Sequence, residues 1–553
     1  MFVREKTING YTYLYLVENV REGGRTKQHI IRNLGRKEAV LAAGDLDRLI
    51  ASIGRFSERA MVLSALDNNP ADLDARRIGG PLLFGRLWER LGIAEVLQDL
   101  LKDRQFDFAV ERAVFVATLH RLFVSGSDRS CLDWMQSYQI DGAQGLALHQ
   151  FYRAMAWLGE ELEEKAEGAL APRCVKDEIE ERLFARRRDL FTDLSLVFMD
   201  TTSLSFYGAG GETLGKRGYS KDYRPDLAQM ILALVVDAQG CPICTEMVPG
   251  NTADVTVLLP IVERLRSRFG VTRACVVADR GMISKETIAA LEAQGMEYIL
   301  GARERSDSMV RDIVLNDAAP MVPLALDRQA GETQLLVKEV RIGKGSDAPR
   351  YIVTLNEKEA KKDKADRQAI IDGLQVQLKK GDKALVGNSA YRRYLRKSGK
   401  DKGASFEVDV GKLADEARFD GISVIRTNAK ITPLQAVIRY RDLLQVENLF
   451  YKAKATYDTR PLFHQSDAAI RGHVYCSFLA LLLSNELFRL CAARDLKPEW
   501  QPLLNDLDRL QKVNLHKDGK DITIRTPTAG MVGAVFQAAD VALPANIHEN
   551  PAA

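Results

Sequence analysis

Two apolar runs that each end in an aspartate constrain this chain most: Leu194-Ser-Leu-Val-Phe-Met-Asp200 and Ala274-Cys-Val-Val-Ala-Asp279. Short runs of this kind read as strands buried in a sheet. A buried strand whose last residue is acidic delivers a carboxylate to a sheet edge, where a cleft can form. One such aspartate can be a helix cap, but two in the same order point to a shared site. Around them the pattern predicts strands over 230–236 and 243–247, a helix over 255–269, a helix over 284–291 and a strand over 298–301. Three strands, a helix, a strand, a helix and a strand make a mixed α/β sheet flanked by helices.

The flanking regions differ in texture. Tyr11, Tyr13 and Tyr15 alternate with Thr12 and Leu14 just after Asn9-Gly10, a strong hairpin signal. Residues 1–45 therefore read as an N-terminal β-meander, its last strand ending near Gly35, and a candidate DNA contact. Residues 46–190 carry helix-period patterns such as Leu83-Phe84-Leu87-Leu91 and Val110-Ala113-Val114-Leu119, a helical region and candidate end-binding segment. The α/β pattern covers 191–302. Residues 303–421 turn irregular and read as an insertion, with strands near 334–342 and 351–355 and a charged helix over 357–380. The α/β pattern resumes over 422–495, with a strand at 422–428, one long helix over 433–454 and another over 466–491. Residues 496–553 form a C-terminal region, a candidate for dimerisation.

The length of 553 residues suits three to four domains, or one enzyme core with large insertions. With 46% apolar and 28% charged residues the chain can bury a sizeable core. Its net charge of only +3 argues at first against a nucleic-acid partner. That charge is uneven, however. The first 40 residues hold eight basic side chains against four acidic ones, and residues 379–402 hold nine against two, with Tyr391 and Tyr394 interleaved. Basic groups neutralise phosphates and aromatic rings stack on bases, so both segments are candidate nucleic-acid surfaces. The plainer reading is a solvated helix face with the tyrosines packing inward; the interleaving favours nucleic acid for the second segment.

Other classes fit poorly. The unbroken apolar run 478–483 is far short of the roughly 20 residues a membrane span needs, so it reads as a buried helix. The opening Met-Phe-Val-Arg-Glu-Lys lacks a signal-peptide core, and a cytoplasmic location is expected. Cys241 and Cys244 form one CxxC with no second pair, which favours structural thiols over a metal or redox role. The seven histidines show no ligand spacing on an obvious helix, which disfavours zinc hydrolase chemistry. Gly208-Ala-Gly-Gly-Glu-Thr-Leu-Gly215-Lys216 has no Ser or Thr after the Lys, as a P-loop requires.

Tyr440, Glu447 and Lys454 recur at intervals of seven within the helix expected over 433–454. A straight helix drifts only about 20° per heptad, so the three would share one stripe, about 10 Å apart. A carboxylate between a phenol and an ammonium suits a metal ligand bracketed by phosphate contacts; an ordinary exposed face is the alternative. Together with Asp200 in Met-Asp-Thr-Thr and Asp279 in Ala-Asp-Arg-Gly-Met, this pattern resembles the DDE transposases of bacterial insertion sequences, in the subgroup with a Tyr, Arg, Glu, Lys signature. Further runs resemble the same family: Gly218-Tyr-Ser-Lys-Asp-Tyr-Arg-Pro-Asp226, Pro249-Gly-Asn-Thr-Ala-Asp254, Asp420-Gly421, Thr427-Asn428, Arg460-Pro-Leu-Phe-His464 and Ile470-Arg-Gly-His473. One position departs: the slot for Arg, three residues after the Tyr, holds Leu443, and Arg441 lies about 200° around a helix from it.

The resemblance implies a ribonuclease H-like core interrupted, between the second Asp and the Glu, by a mainly β insertion. It implies that Asp200, Asp279 and Glu447 are catalytic and bind metal, and that Tyr440 and Lys454 contact DNA phosphates. Three carboxylates can hold two divalent ions about 3.5–4 Å apart, one for the attacking and one for the leaving oxygen. Oxygen donors and a phosphate substrate favour Mg²⁺, with Mn²⁺ as a substitute. The implied activity is cleavage at the inverted-repeat ends of the element and joining of the freed 3′-OH to target DNA, by a homodimer holding two ends of double-stranded DNA. Arg392, Arg393 and Arg396, within the basic segment of the insertion, are the candidates for gripping the end sequence. The alternative is a DNA-binding protein derived from a transposase that no longer cuts, which Leu443 keeps open and the three intact acids argue against.

Overall fold

Asn9 and Gly10 both adopt positive φ, 51° and 83°, as the two-residue turn between twisted strands demands. The turn pairs β1 (Phe2–Ile8) with β2 (Tyr11–Glu22), which pairs in turn with β3 (Arg25–Arg36). The expected meander is therefore present, followed by the short helix α1 (Lys37–Ala42). This computed structural model describes residues 2–22, 25–44, 46, 48–49, 72–124, 126–163, 170–187, 195–272, 274–326, 333–343, 348–379, 393–398, 405–456, 462–517 and 520–550.

The region expected to be helical over 46–190 first contributes a strand, β4 (Asp72–Arg77). Six helices follow: α2 (Gly79–Arg90), α3 (Ile93–Leu101), α4 (Val110–Phe123), α5 (Asp128–Met135), α6 (Leu148–Leu158) and α7 (Val175–Arg187). Helix α4 is buried almost all round, from Val110 to Leu122.

The strands that carry the two aspartates enter next, and the first does not end at Asp200 as expected but runs on to Ser205, paired with the next strand along that whole length. β5 (Leu196–Ser205), β6 (Gln229–Asp237) and β7 (Pro242–Pro249) form consecutive antiparallel pairs. Helix α8 (Asp254–Ser267) leads to β8 (Cys275–Ala278), and α9 (Lys285–Ala293) leads to β9 (Glu297–Gly301). β8 pairs with β5 and β9 with β8, both in parallel, as crossovers through helices allow. Val257, Leu258, Ile261, Val262 and Leu265 of α8 pack with Val197, Met199, Val235 and Val276 of the strands, so the helix covers an apolar face of the sheet.

The insertion expected over 303–421 does not stand apart from this sheet. β10 (Val322–Leu326), β11 (Thr333–Arg341) and β12 (Arg350–Leu355) are hydrogen-bonded in succession, and β12 pairs with β15 (Ile422–Thr427), which pairs with β9. One nine-stranded sheet results, in the order β10-β11-β12-β15-β9-β8-β5-β6-β7. Between β12 and β15 lie the 22-residue α10 (Glu357–Leu378), the hairpin β13 (Leu395–Ser398) and β14 (Ser405–Val408), and α11 (Val410–Ala417). The described part of the insertion is thus mixed rather than mainly β. Its strands extend the core sheet because apolar residues such as Val340, Tyr351 and Val353 are buried there with Val424 of β15.

The single helix expected over 433–454 is also corrected. The chain forms α12 (Pro433–Arg441), a turn at Asp442 and Leu443, α13 (Leu444–Tyr451) and a π-helical turn, Lys452–Thr456. At the break, i→i+3 bonds replace the usual i→i+4 pattern: Leu443 N–H to Tyr440 O, Gln445 to Asp442 and Val446 to Leu443. Tight turns and then a wide one cancel the regular stripe that constant winding would give.

Helix α14 (Asp467–Ala492) is long and apolar enough to cross a membrane, yet 78% of its most apolar stretch is buried inside the protein, as expected of a core helix. The chain ends with α15 (Trp500–Arg509), β16 (Gln511–Lys517), β17 (Lys520–Arg525), α16 (Val532–Ala538) and β18 (Ile547–Asn550). A second sheet has the order β18-β17-β16-β4, so β4 pairs with a strand more than 400 residues away. The chain divides into two units: residues 1–79, 505–532 and 542–553 in one, 80–504 and 533–541 in the other.

Candidate active site

Register sets the two aspartates side by side. Met199 of β5 stands opposite Ala278 of the parallel β8, so the next residues, Asp200 and Asp279, continue at the same level. Asp279 ends its strand and opens a 3₁₀ turn, Arg280–Met282. Glu447 arrives from α13, which packs against β5 and β6. The Asp200 carboxylate accepts a bond from its neighbour's Thr201 N–H at 2.7 Å. Burial lifts Asp200 to about 6; Lys221 and that bond pull it down, while the charges of Asp279 and Glu447 push it further up. The three acids therefore share one electrostatic neighbourhood, although they are not gathered as a trio to within 4.8 Å.

A fourth carboxylate, Asp254 at the start of α8, borders the same space. A side chain at Gly281 would meet Asp254 Oδ2 at 3.5 Å and Asp279 Oδ2 at 3.9 Å. Thr201 Oγ1 donates to Asp254 Oδ1 at 2.8 Å, and Lys221 Nζ reaches Asp254 Oδ2 at 3.1 Å, Thr201 O at 2.7 Å and Thr201 Oγ1 at 2.6 Å. Tyr440 donates to Asp279 Oδ1 at 3.2 Å, and a Cβ at Gly301 would lie 2.2 Å from its hydroxyl, so only glycine leaves room for it. Burial, with Asp279 beside it, pushes the Tyr440 phenol above its ordinary range. Lys454 Nζ is bonded to Asp222 at 2.8 Å, each side chain 12% exposed. Tyr440, Glu447 and Lys454 thus reach the site from three short segments rather than one stripe, and Leu443 is buried in the core.

The three arginines of the basic segment part company. Arg392 lies outside the described residues. Arg393 lines a cleft of about 330 Å³ with Arg280, Arg303, Arg305 and Glu304, beside Asp279. Glu304 takes Arg280 at 2.9 Å and Arg305 at 2.8 Å, and Glu416 takes Arg305 at 3.1 Å and Arg393 at 3.7 Å, so four cations face two carboxylates. Arg396 instead pairs with Glu407 across the β13–β14 hairpin at 3.2 Å. Tyr394 packs inward with Ile371, Leu374 and Leu395, the plainer of the two sequence readings for that ring; Tyr391 lies outside the described residues.

Thr201, Lys221, Asp254, Arg303 and Arg305 escaped the sequence reading as site residues. The first three lie within runs already singled out, at 200–202, 218–226 and 249–254, but no spacing rule says that a lysine between two tyrosines turns inward. Other motif residues prove structural: Asn428 bonds Tyr298 N–H at 2.8 Å and Met296 O at 3.0 Å, locking β15 to β9. Burial pushes the Cys241 thiol up to about 11 and Cys244 higher still, as suits inert thiols. Two histidines do meet with a carboxylate distant in sequence: Asp128, His464 and His473 bring ligand atoms within 4.8 Å of one another. The Arg121 guanidinium sits 2.7 Å from His473 Nδ1, so that buried nest already holds a cation.

The donor set at the acid centre fits a divalent cation that prefers oxygen ligands. Lys221 pairs with Asp254, and burial, helped by the charges of Asp279 and Glu447, holds Asp200 up at about 6 against the pull of Lys221. Comparison with known proteins bears on the same residues. No curated protein matches the chain. A solved structure described as a pre-cleavage Mos1 transpososome is similar at 12% identity over 36% of this chain and 61% of that one, but its TM-score of 0.14 is too low to carry an argument. Residues 3–67 match the N-terminal domain of IS1634 family transposases. Residues 192–483, more than half of the chain and spanning all three acids, match the transposase DDE domain, and the chain accordingly belongs to the DDE transposases, of the IS1634 type.

Proposed function

We propose that this chain binds the inverted-repeat ends of its insertion sequence, cuts the DNA there by phosphodiester hydrolysis and joins the freed 3′-OH ends to target DNA. The observation that carries the reading is the convergence of Asp200, within β5, and Asp279, just past the end of the parallel β8, with Glu447 on the helix packed against them. The order β7-β6-β5-β8-β9, three antiparallel strands followed by two in parallel, supports a ribonuclease H-like core.

Asp200, Asp279 and Glu447 would hold two Mg²⁺ ions, with Mn²⁺ as a substitute, and the ions would supply positive charge for the attacking and leaving oxygens. The protein's own groups prepare that site. Tyr440 fixes one oxygen of Asp279 and leaves the other for the site. Lys221 favours the ionised form of Asp200 and, with Thr201, fixes Asp254. The arginines of the cleft beside Asp279 would take DNA phosphates, since a planar guanidinium can donate two parallel hydrogen bonds to a pair of phosphate oxygens. Two ends must be cut together, which requires a homodimer; a DNA substrate of this kind places the protein at the nucleoid of a bacterial cytoplasm.

The second reading, a protein that binds ends without cutting, is favoured by Leu443 alone, since its burial removes a phosphate contact from the signature. Incubating the full chain with DNA carrying the flanking inverted repeats, with Mg²⁺ and with EDTA, separates the two. Mg²⁺-dependent nicks at the repeat ends are expected. Binding without nicks in either Mg²⁺ or Mn²⁺ would overturn the cutting function.

A further inference from the structure

Between β5 and β6 the chain makes a loop whose residues alternate sharply in their surroundings. Lys221 and Asp222 turn inward: Lys221 N–H donates to Ser203 Oγ at 2.9 Å, its ammonium binds Thr201 and Asp254, and Asp222 holds Lys454. On either side, Tyr219 and Tyr223 are 85% and 91% exposed. The backbone between them is tied down rather than loose. Gln229 Nε2 donates to Tyr219 O at 2.8 Å, and Ser220 Oγ accepts from Arg224 N–H at 3.1 Å. Tyr223 also takes a left-handed φ of +58°, which for a bulky residue costs on the order of 1 kcal/mol and is normally left to glycine or asparagine.

Two rings held in solvent on an anchored, strained loop bury nothing that would stabilise the fold. A second aromatic pair lies close by: Tyr207 and Phe463 stack at 5.7 Å with planes 19° apart, both more than half exposed, and Arg224 is near enough to Tyr207 to interact with it. The exposed Lys216 and Arg217 precede the loop. All of this is fastened to Thr201, the residue after Asp200, so at about 3.8 Å per residue each tyrosine lies within a nucleotide or two of the acid centre.

We propose that Tyr219 and Tyr223 form a stacking platform for unpaired bases of the DNA end beside the scissile phosphate, continued by Tyr207 and Phe463. The proposal rests on the reading of the chain as a DNA-cutting transposase. Flat rings offering a free face, next to basic side chains, are the chemistry that single-stranded bases recognise, and stacking of this kind is independent of sequence. Duplex DNA offers its bases only by their edges, so the platform selects ends whose terminal pairs have opened.

The test uses the full chain and inverted-repeat ends carrying 2-aminopurine at the nucleotides flanking the cut, with those nucleotides either paired or unpaired. Wild type is expected to quench the fluorescence and to prefer the unpaired end. Tyr219→Ala and Tyr223→Ala should lose the quenching and bind the unpaired end roughly 10- to 100-fold more weakly, with paired-end affinity nearly unchanged; stacking is worth about 1–3 kcal/mol per base. Tyr223→Phe keeps the ring and should behave as wild type. Tyr223→Gly relieves the strained φ without a ring, and should fail as the Ala variant does. Quenching by the Ala variants equal to wild type, or recovery in Tyr223→Gly of what Tyr223→Ala lost, would overturn the platform and leave the tyrosines to a protein partner or to the loop itself. If wild type cuts its ends while the variants are unaltered, only the platform falls; if wild type does not cut, the underlying function falls with it.

Discussion

Two clusters of carboxylates occupy the larger unit, and they are built in opposite ways. In one, Asp177, Glu180 and Glu246 meet Lys176 and Arg264 where α7 crosses β7 and α8. Arg264 reaches Glu180 at 2.7 Å and Asp177 at 2.8 Å, Lys176 reaches Asp177 at 2.5 Å, and Thr245 Oγ1 donates to Glu180 at 2.7 Å. Burial alone would raise all three acids, yet Arg264 and Lys176 outweigh it at Asp177, which is held below its ordinary value; Glu180 settles at about 7. In the other, Lys221 pairs with Asp254 and pulls on Asp200, yet burial and the charges of Asp279 and Glu447 leave Asp200 at about 6. In the first cluster each carboxylate is paired with Lys176 or Arg264, as suits part of the framework; in the second Lys221 pairs with Asp254 while burial and acidic neighbours raise Asp200, as suits a candidate site for a bound cation.

The comparison is broken most directly at the open cluster. Asp200→Ala, Asp279→Ala or Glu447→Ala should each lower cleavage of inverted-repeat DNA by roughly 10⁴-fold, about 5 kcal/mol of barrier, while end binding persists; a gel assay showing normal cutting by one of them removes that residue from the site. The closed cluster should respond in stability instead. Arg264→Leu strands Asp177, Glu180 and Glu246 without their main cation, and should cost about 3–5 kcal/mol in a urea titration. A variant as stable as wild type would mean that the network is not what holds α7 to the sheet.

Asp200 sharpens the contrast through pH. Its folded value lies above the ordinary one, so the folded state binds the proton more tightly than the unfolded chain does. Its contribution to stability is therefore greatest below about pH 4, declines between about 4 and 6, and stays lost above 6. Added divalent ion should accordingly raise Tm by more at pH 7.5 than at pH 5, by about 2–4 °C per kcal/mol, and Asp200→Asn should abolish the difference; equal shifts at both pH values count against Asp200 as the ion's ligand. The smallest effect is expected at the rim: Arg393→Gln should reduce the salt slope of DNA binding by about 1, and Arg396→Gln, paired with Glu407 on the hairpin, by less. Equal slopes for the two variants would erase the distinction between the cleft and the hairpin.

Much of this was legible without coordinates, for local reasons. The strand carrying Asp279 was expected at 274–279 and is found at Cys275–Ala278; the strand expected at 334–342 is found at Thr333–Arg341. Apolar runs and turn residues act within a few positions and leave a readable trace. The Tyr440, Glu447 and Lys454 stripe assumed one uninterrupted helix, and the chain departs from it at Asp442 and Leu443, where i→i+3 bonds replace the regular pattern. Nothing near Lys221 in the sequence signals its partner, because Asp254 lies 33 residues further along the chain.

The sequence by itself determined most elements of the core, the two aspartates on neighbouring strands and the family, since each rests on residues close together or on fixed motifs. The tertiary structure decided which strands share a sheet, that β10–β12 extend the core rather than leave it, and that β4 pairs with β16. It also decided which charges are answered within the protein and which are not. Pairing and compensation are non-local: they depend on which residues burial brings within a few ångströms, and no distance along the chain encodes that.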